Sequence, residues 1–136
     1  MPRPETSPAE QVAKVPMPTR PIVQAARRTV KTVAPRAREV AYQMSKPRSS
    51  RMMWKLLRYA ASDDYVLAIG TLPRYATMFF YRGRELDDGS GLLDGSGKDT
   101  RFVRLRSRAD AARPEIKKLV RDAFALGTSK ASKTRT

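Results

Sequence analysis

Between Gly89 and Arg106 the chain reads Gly-Ser-Gly-Leu-Leu-Asp-Gly-Ser-Gly-Lys-Asp-Thr-Arg-Phe-Val-Arg-Leu-Arg, a glycine-rich loop running straight into an alternating strand. Two chemistries suit these residue types. Gly95, Ser96 and Gly97 can turn successive amides inward and, beside Lys98 and Arg101, form a nest for an anion. A Walker loop is excluded, because the first glycine it needs and the Ser or Thr after its lysine are here Leu92 and Asp99. The plain alternative is a tight turn that uses glycine's positive φ. The strand offers the second chemistry. Val103 and Leu105 fall on one face, and Phe102, Arg104 and Arg106 fall on the other. Arg51–Tyr59 repeats the mixture, with Lys55 and Arg58 among large apolar residues. Aromatics interleaved with arginine on a sheet face hold single-stranded nucleic acid by stacking and phosphate contact. Phe102, Arg104, Arg106, Arg58 and Lys55 are therefore the nucleic-acid candidates. No recognition-helix or RNP-type motif accompanies them, so such binding would be sequence-independent.

Catalysis has little to stand on. The chain has no histidine and no cysteine, which removes the commonest general base, the commonest metal ligand and all thiol and disulfide chemistry. No Gly-x-Ser-x-Gly motif occurs, and no catalytic residue or cofactor is assigned. Glu85, Asp87, Asp88, Asp94 and Asp99 crowd one region, and hard cations take such oxygen ligands. Arg82, Arg84, Lys98 and Arg101 lie among them, however, and calcium-loop spacing is absent, so no metal site is assigned either.

The charge points the same way as the strand. Lys and Arg number 28 against 13 acidic residues, a net +15, which favours anionic partners: a small anion or nucleic acid. No apolar run approaches the length of a membrane helix, and the N-terminus has no signal-peptide core. A cytoplasmic protein with no membrane partner is expected.

The elements that position these residues read as follows. Residues 1–20 carry prolines at 2, 4, 8, 16 and 18 and are expected to form a disordered basic tail. A helix opens at Pro21, with Thr19 as its cap and Ile22, Ala26, Val30 and Val33 on its apolar side, and Pro35 ends it near Ala34. Strands follow over Arg36–Met44, Met52–Ala60, Tyr65–Gly70 and Tyr75–Tyr81, the last apolar enough to be buried on both faces. Trp54 is read as core. Arg82–Asp88 is a loop with Leu86 turned inward, and Leu92 and Leu93 anchor the glycine loop. Ser107–Arg113 reads as a linker. Pro114 and Glu115 begin a closing helix whose stripe is Ile116, Leu119, Val120, Ala123 and Phe124, with Gly127 as its stop. The sum is one α+β domain over residues 21–127: a mainly antiparallel sheet of about five strands, N- and C-terminal helices packed on one face, and a basic tail over 128–136.

Phe79-Phe80-Tyr81-Arg82-Gly83, Glu85-Leu86, Gly91-Leu92-Leu93-Asp94-Gly95-Ser96-Gly97-Lys98, Arg101-Phe102-Val103-Arg104-Leu105 and the closing helix together resemble the YdhG-like domain of unknown function. The resemblance covers Met78–Leu126 well and Pro21–Val33, Pro35 and Glu39 more loosely. It implies a frataxin-like fold; with the basic charge and the lack of catalytic residues, the expectation is a small non-catalytic binding module for an anionic ligand, the alternative being sequence-independent nucleic-acid binding. Some members handle iron through acidic surface, from which this basic chain departs.

Overall fold

The structure, a computed structural model, describes residues 6–87, 89–95 and 97–128. Among these, five strands form one antiparallel meander in the order β1 (Arg38–Ala41), β2 (Trp54–Ala61), β3 (Asp64–Leu72), β4 (Tyr75–Phe80) and β5 (Arg101–Leu105). Helices α2 (Arg20–Val33) and α5 (Pro114–Thr128) pack on β3 and on each other, so both cover the same face. The class is therefore α+β, as the sequence pattern indicates. The register shows why the chain folds this way. Leu57, Ile69, Met78 and Val103 are paired in one row across β2 to β5, and all four are buried. The stripe of α5 closes over the core through Ile116, Leu119, Val120 and Ala123, with Phe124 half-buried beside it. Trp54 is core, its Nε1 donating to the Met44 carbonyl at 3.1 Å.

Five expectations are corrected. Residues 6–20 are not a loose tail. Ser7 caps a short helix, α1 (Pro8–Ala13), in a reciprocal box with Glu10, and Pro8 stands in its first turn, where a missing N–H costs nothing. Val12 and Val15 are buried, and Gln11 Nε2 donates to the Tyr42 carbonyl at 2.8 Å. The domain accordingly begins upstream of residue 21, while residues 1–5 and 129–136 lie outside the described ones. Thr19 does sit at the N-cap of α2, but its hydroxyl donates to the Pro73 carbonyl and accepts no amide of the helix.

The supposed linker Ser107–Arg113 contains a helical turn, α4 (Arg108–Ala111), because the Ser107 hydroxyl accepts the Asp110 amide and Ala111 is fully buried. Arg82–Asp88 likewise holds a turn of helix, α3 (Gly83–Leu86), with Leu86 packed on the core. Gly127 does not stop α5, which continues to Thr128. A Cβ at Gly127 would stand 2.7 Å from Val66 Cγ2, so glycine there permits a close approach between helix and sheet.

Candidate nucleic-acid interface on the open sheet face

With both long helices on one side, the opposite face of the sheet is left to its own side chains. Two registered rows cross it. Val40, Arg58, Ala68, Phe79 and Phe102 are paired in one row from β1 to β5. Lys55, Gly70, Thr77 and Arg104 are paired in the next. Arg106 follows Arg104 by two residues and lies 5.6 Å from the Tyr75 ring. All five nucleic-acid candidates thus come together on one surface.

Lys55 and Arg58 are three residues apart, a spacing that puts side chains on opposite faces of a regular strand. A register shift between Lys55 and Leu57 inserts Leu56 as an extra residue and returns both cations to the open side. A second shift inserts Val66 opposite β2 and brings Tyr65 to the same side. Arg58 is then clasped between two rings, its guanidinium carbon 4.7 Å from the Tyr42 centroid and 4.1 Å from that of Tyr65. The Tyr42 and Tyr81 hydroxyls meet at 2.9 Å, and the Tyr81 ring stands edge-on to Phe79 at 6.0 Å. Burial, and then the bond to Tyr42, push the Tyr81 phenol above its ordinary range.

A second cluster sits at the β4–β5 edge. The Arg104 guanidinium lies 5.0 Å from the Phe102 centroid and 5.9 Å from that of Tyr75. Its Nη1 also donates to Asp94 at 2.9 Å, an exposed pair worth at most about 1 kcal/mol. Lys55, Arg58 and the Arg106 side chain have no acidic partner among the described residues. Four of the five tyrosines, Tyr42, Tyr65, Tyr75 and Tyr81, belong to this face, and the sequence reading assigned none of them to a site. A signal existed in β4, where Tyr75, Thr77, Phe79 and Tyr81 alternate with Ala76, Met78 and Phe80.

Thr77 and Phe79 are nonetheless buried, so β4 is covered on both sides, in agreement with its apolar sequence. Thr77 Oγ1 and Arg58 Nε are buried without a hydrogen-bond partner among the described residues. Both belong to the open face.

The anion-nest candidates lie in the glycine loop, which is held by its own contacts. Arg101 Nη1 donates to the carbonyls of Gly97 at 2.7 Å and Thr100 at 2.9 Å, so this guanidinium stitches the loop to itself. Gly95 has φ +122°, the conformation that the turn reading requires. Asp94 and Phe102 exchange both backbone hydrogen bonds, at 2.8 and 2.9 Å, which ties the loop to β5, and Leu93 is buried beneath it with Leu92 packed alongside. Lys98 is exposed, and Ser96 lies outside the described residues. Of the acidic crowd, Glu85 is held by Arg82 and Asp94 by Arg104, while Asp88 is again outside the described residues. No three potential metal ligands cluster among the described residues, and none of their helices is long and apolar enough to cross a membrane. Comparison of the chain with models of known families, with curated proteins and with solved structures finds no match in any of the three.

Proposed function

We propose that this protein is a cytoplasmic, non-catalytic binding module whose anionic ligand is single-stranded nucleic acid, held without sequence preference on the open face of the sheet. The observation that carries the reading is the registered surface itself. Lys55, Arg58, Arg104 and Arg106 share it with Tyr42, Tyr65, Tyr75 and Phe102. Unpaired bases have exposed π-faces that stack on such rings, and the cations can neutralise phosphates. A duplex buries its base faces and offers the rings nothing, so preference should run toward single strands. The +15 charge adds attraction at long range. The resemblance to the YdhG-like domain fits a small module of this kind and adds no chemistry of its own.

The test is fluorescence anisotropy with labelled homopolymeric DNA and RNA strands over a salt series. Binding should weaken linearly on a log-log plot, and Arg104→Ala and Arg106→Ala should each lower the slope by roughly one. Phe102→Ala should cost about 1–3 kcal/mol for single strands and little for a duplex of equal length. If the open-face variants bind as the parent does, or no strand binds at about 0.1 M salt, the reading is wrong.

A further inference from the structure

At the far end of the sheet from the glycine loop, a cavity of about 330 Å³ opens between the start of α2, the 46–52 loop and the β3–β4 turn. Its size is at the lower end of that for small-molecule sites. Part of its wall, Val15, Pro16 and Thr19, comes from the N-terminal segment that the sequence pattern marks as a tail. We infer that this cavity is a binding site for a small organic carboxylate with a flat apolar body, separate from the open sheet face.

The walls argue for the apolar body. Trp54 and Leu72 form one side, and the rings of Pro16, Pro47 and Pro73 supply rigid surfaces that lose no rotamer freedom on contact. The polar groups within reach are mostly spent. Thr19 Oγ1 donates to the Pro73 carbonyl at 2.8 Å, Thr71 Oγ1 lies 2.8 Å from the Leu72 carbonyl, and the Trp54 indole is held by Met44. These bonds fix that part of the wall, and the remaining hydroxyls, Ser49 and Ser50, belong to the exposed 46–52 loop. Met52, one wall residue, is 57% exposed, and Met17 beside Pro16 is 63% exposed. They are the two large hydrophobics left open to water among the described residues; Met52 lines this cavity, and Met17 adjoins its wall residue Pro16 in sequence.

The rim argues for the carboxylate. Lys46 and Arg48 line the opening, and neither has an ion-pair partner among the described residues. No acidic residue lines the cavity. A guest with an apolar plate and one anionic group satisfies both halves at once, whereas a neutral plate leaves the cations idle and a bare anion leaves Met52 wet.

The experiment uses the full chain and its single tryptophan. Trp54 gives one indole N–H signal in a proton–nitrogen correlation spectrum, and that group is in the cavity wall. Titration with naphthaleneacetate should shift it saturably at one site per chain. Lys46→Ala with Arg48→Ala should weaken binding by at least about tenfold, as loss of a charged hydrogen bond does. Both residues are exposed, so the indole signal should stay at its parental position in the unliganded double variant. Naphthaleneethanol should bind correspondingly more weakly, inorganic phosphate should leave the signal unmoved, and Arg104→Ala should change nothing. Equal affinity for the alcohol, a shift by phosphate alone, an unaffected double variant or no saturable shift would each overturn the inference. None of these results touches oligonucleotide binding by the open face.

Discussion

Replacing Glu39 by glutamine removes the one charge on which the helical layer and the sheet edge converge. Glu39 lies on the covered side of β1, its side chain only 12% exposed. It accepts Arg27 Nε at 2.9 Å, Arg27 Nη2 at 3.0 Å and the Tyr59 hydroxyl at 2.6 Å, so α2, β1 and β2 meet at one carboxylate. Lys31 stands 3.8 Å away but is more than half exposed, and water screens most of its effect. Burial by itself pushes the Glu39 carboxyl up. The bonds from Arg27 and Tyr59 and the charges of Arg27 and Lys31 outweigh it and hold the group below the usual carboxylate range.

Glutamine keeps one acceptor oxygen but turns an NH₂ group toward the guanidinium. Hydrogen bonds to charged groups contribute about 1.5–3 kcal/mol each, and Arg27 retains some water, so the loss at about pH 7 should be about 2–3 kcal/mol. The pH dependence gives the sharper result. Because the folded-state pKa is depressed, the stabilisation is complete above the unfolded carboxylate range and drains away as pH falls through the folded value. The gap between parent and variant should therefore close on acidification below about pH 4. Urea unfolding followed by circular dichroism at several pH values measures it. A gap of constant size from neutral to acid pH would show that Glu39 acts through packing and that the charge argument is mistaken.

Two further outcomes follow from the corrections to the fold. Removing residues 1–19 takes the buried Val12 and Val15 and the capped α1 with it, so the melting midpoint should fall by about 10 °C or more, read by calorimetry. Gly127→Ala should cost about 1–3 kcal/mol in urea unfolding through its contact with Val66, and Val66→Ala in the same chain should recover part of it.

What the sequence could reveal was local. The stripe of α5 and the alternation of β5 repeat within a single element, and both are as the pattern indicates. Ser7-Pro8-Ala9-Glu10 and Ser107-Arg108-Ala109-Asp110 also carried local cap signals. The first was masked by prolines that looked like disorder, and the second by a helix too short to show a period. Other features could not be read locally at all. The extra residues Leu56 and Val66 are defined only by the partner strand, and an alternation count along β2 or β3 puts the wrong residues on each face once past them. Gly127 looks like a helix stop until Val66 is placed opposite it. For the candidate interface, Phe102, Arg104 and Arg106 were visible as a set because one strand carries them, whereas Tyr42 and Tyr65 become partners of Arg58 only across β1, β2 and β3.

Those cross-strand contacts bear on how the open face could work. A guanidinium lying flat on a ring leaves most of its N–H groups pointing outward along the ring plane, where a phosphate can reach them. The same contact holds the arginine in place, so less rotamer freedom remains to be lost on binding. Arg58 is held in place by Tyr42 and Tyr65, and because its Nε is buried a phosphate would have to reach its terminal amino groups. Arg104 is less available, since Asp94 already occupies one of its donors and would have to yield. The two clusters should therefore contribute unequally. Phosphate contact at Arg58 has no ion pair to displace among the described residues, whereas contact at Arg104 competes with an ion pair that salt also weakens.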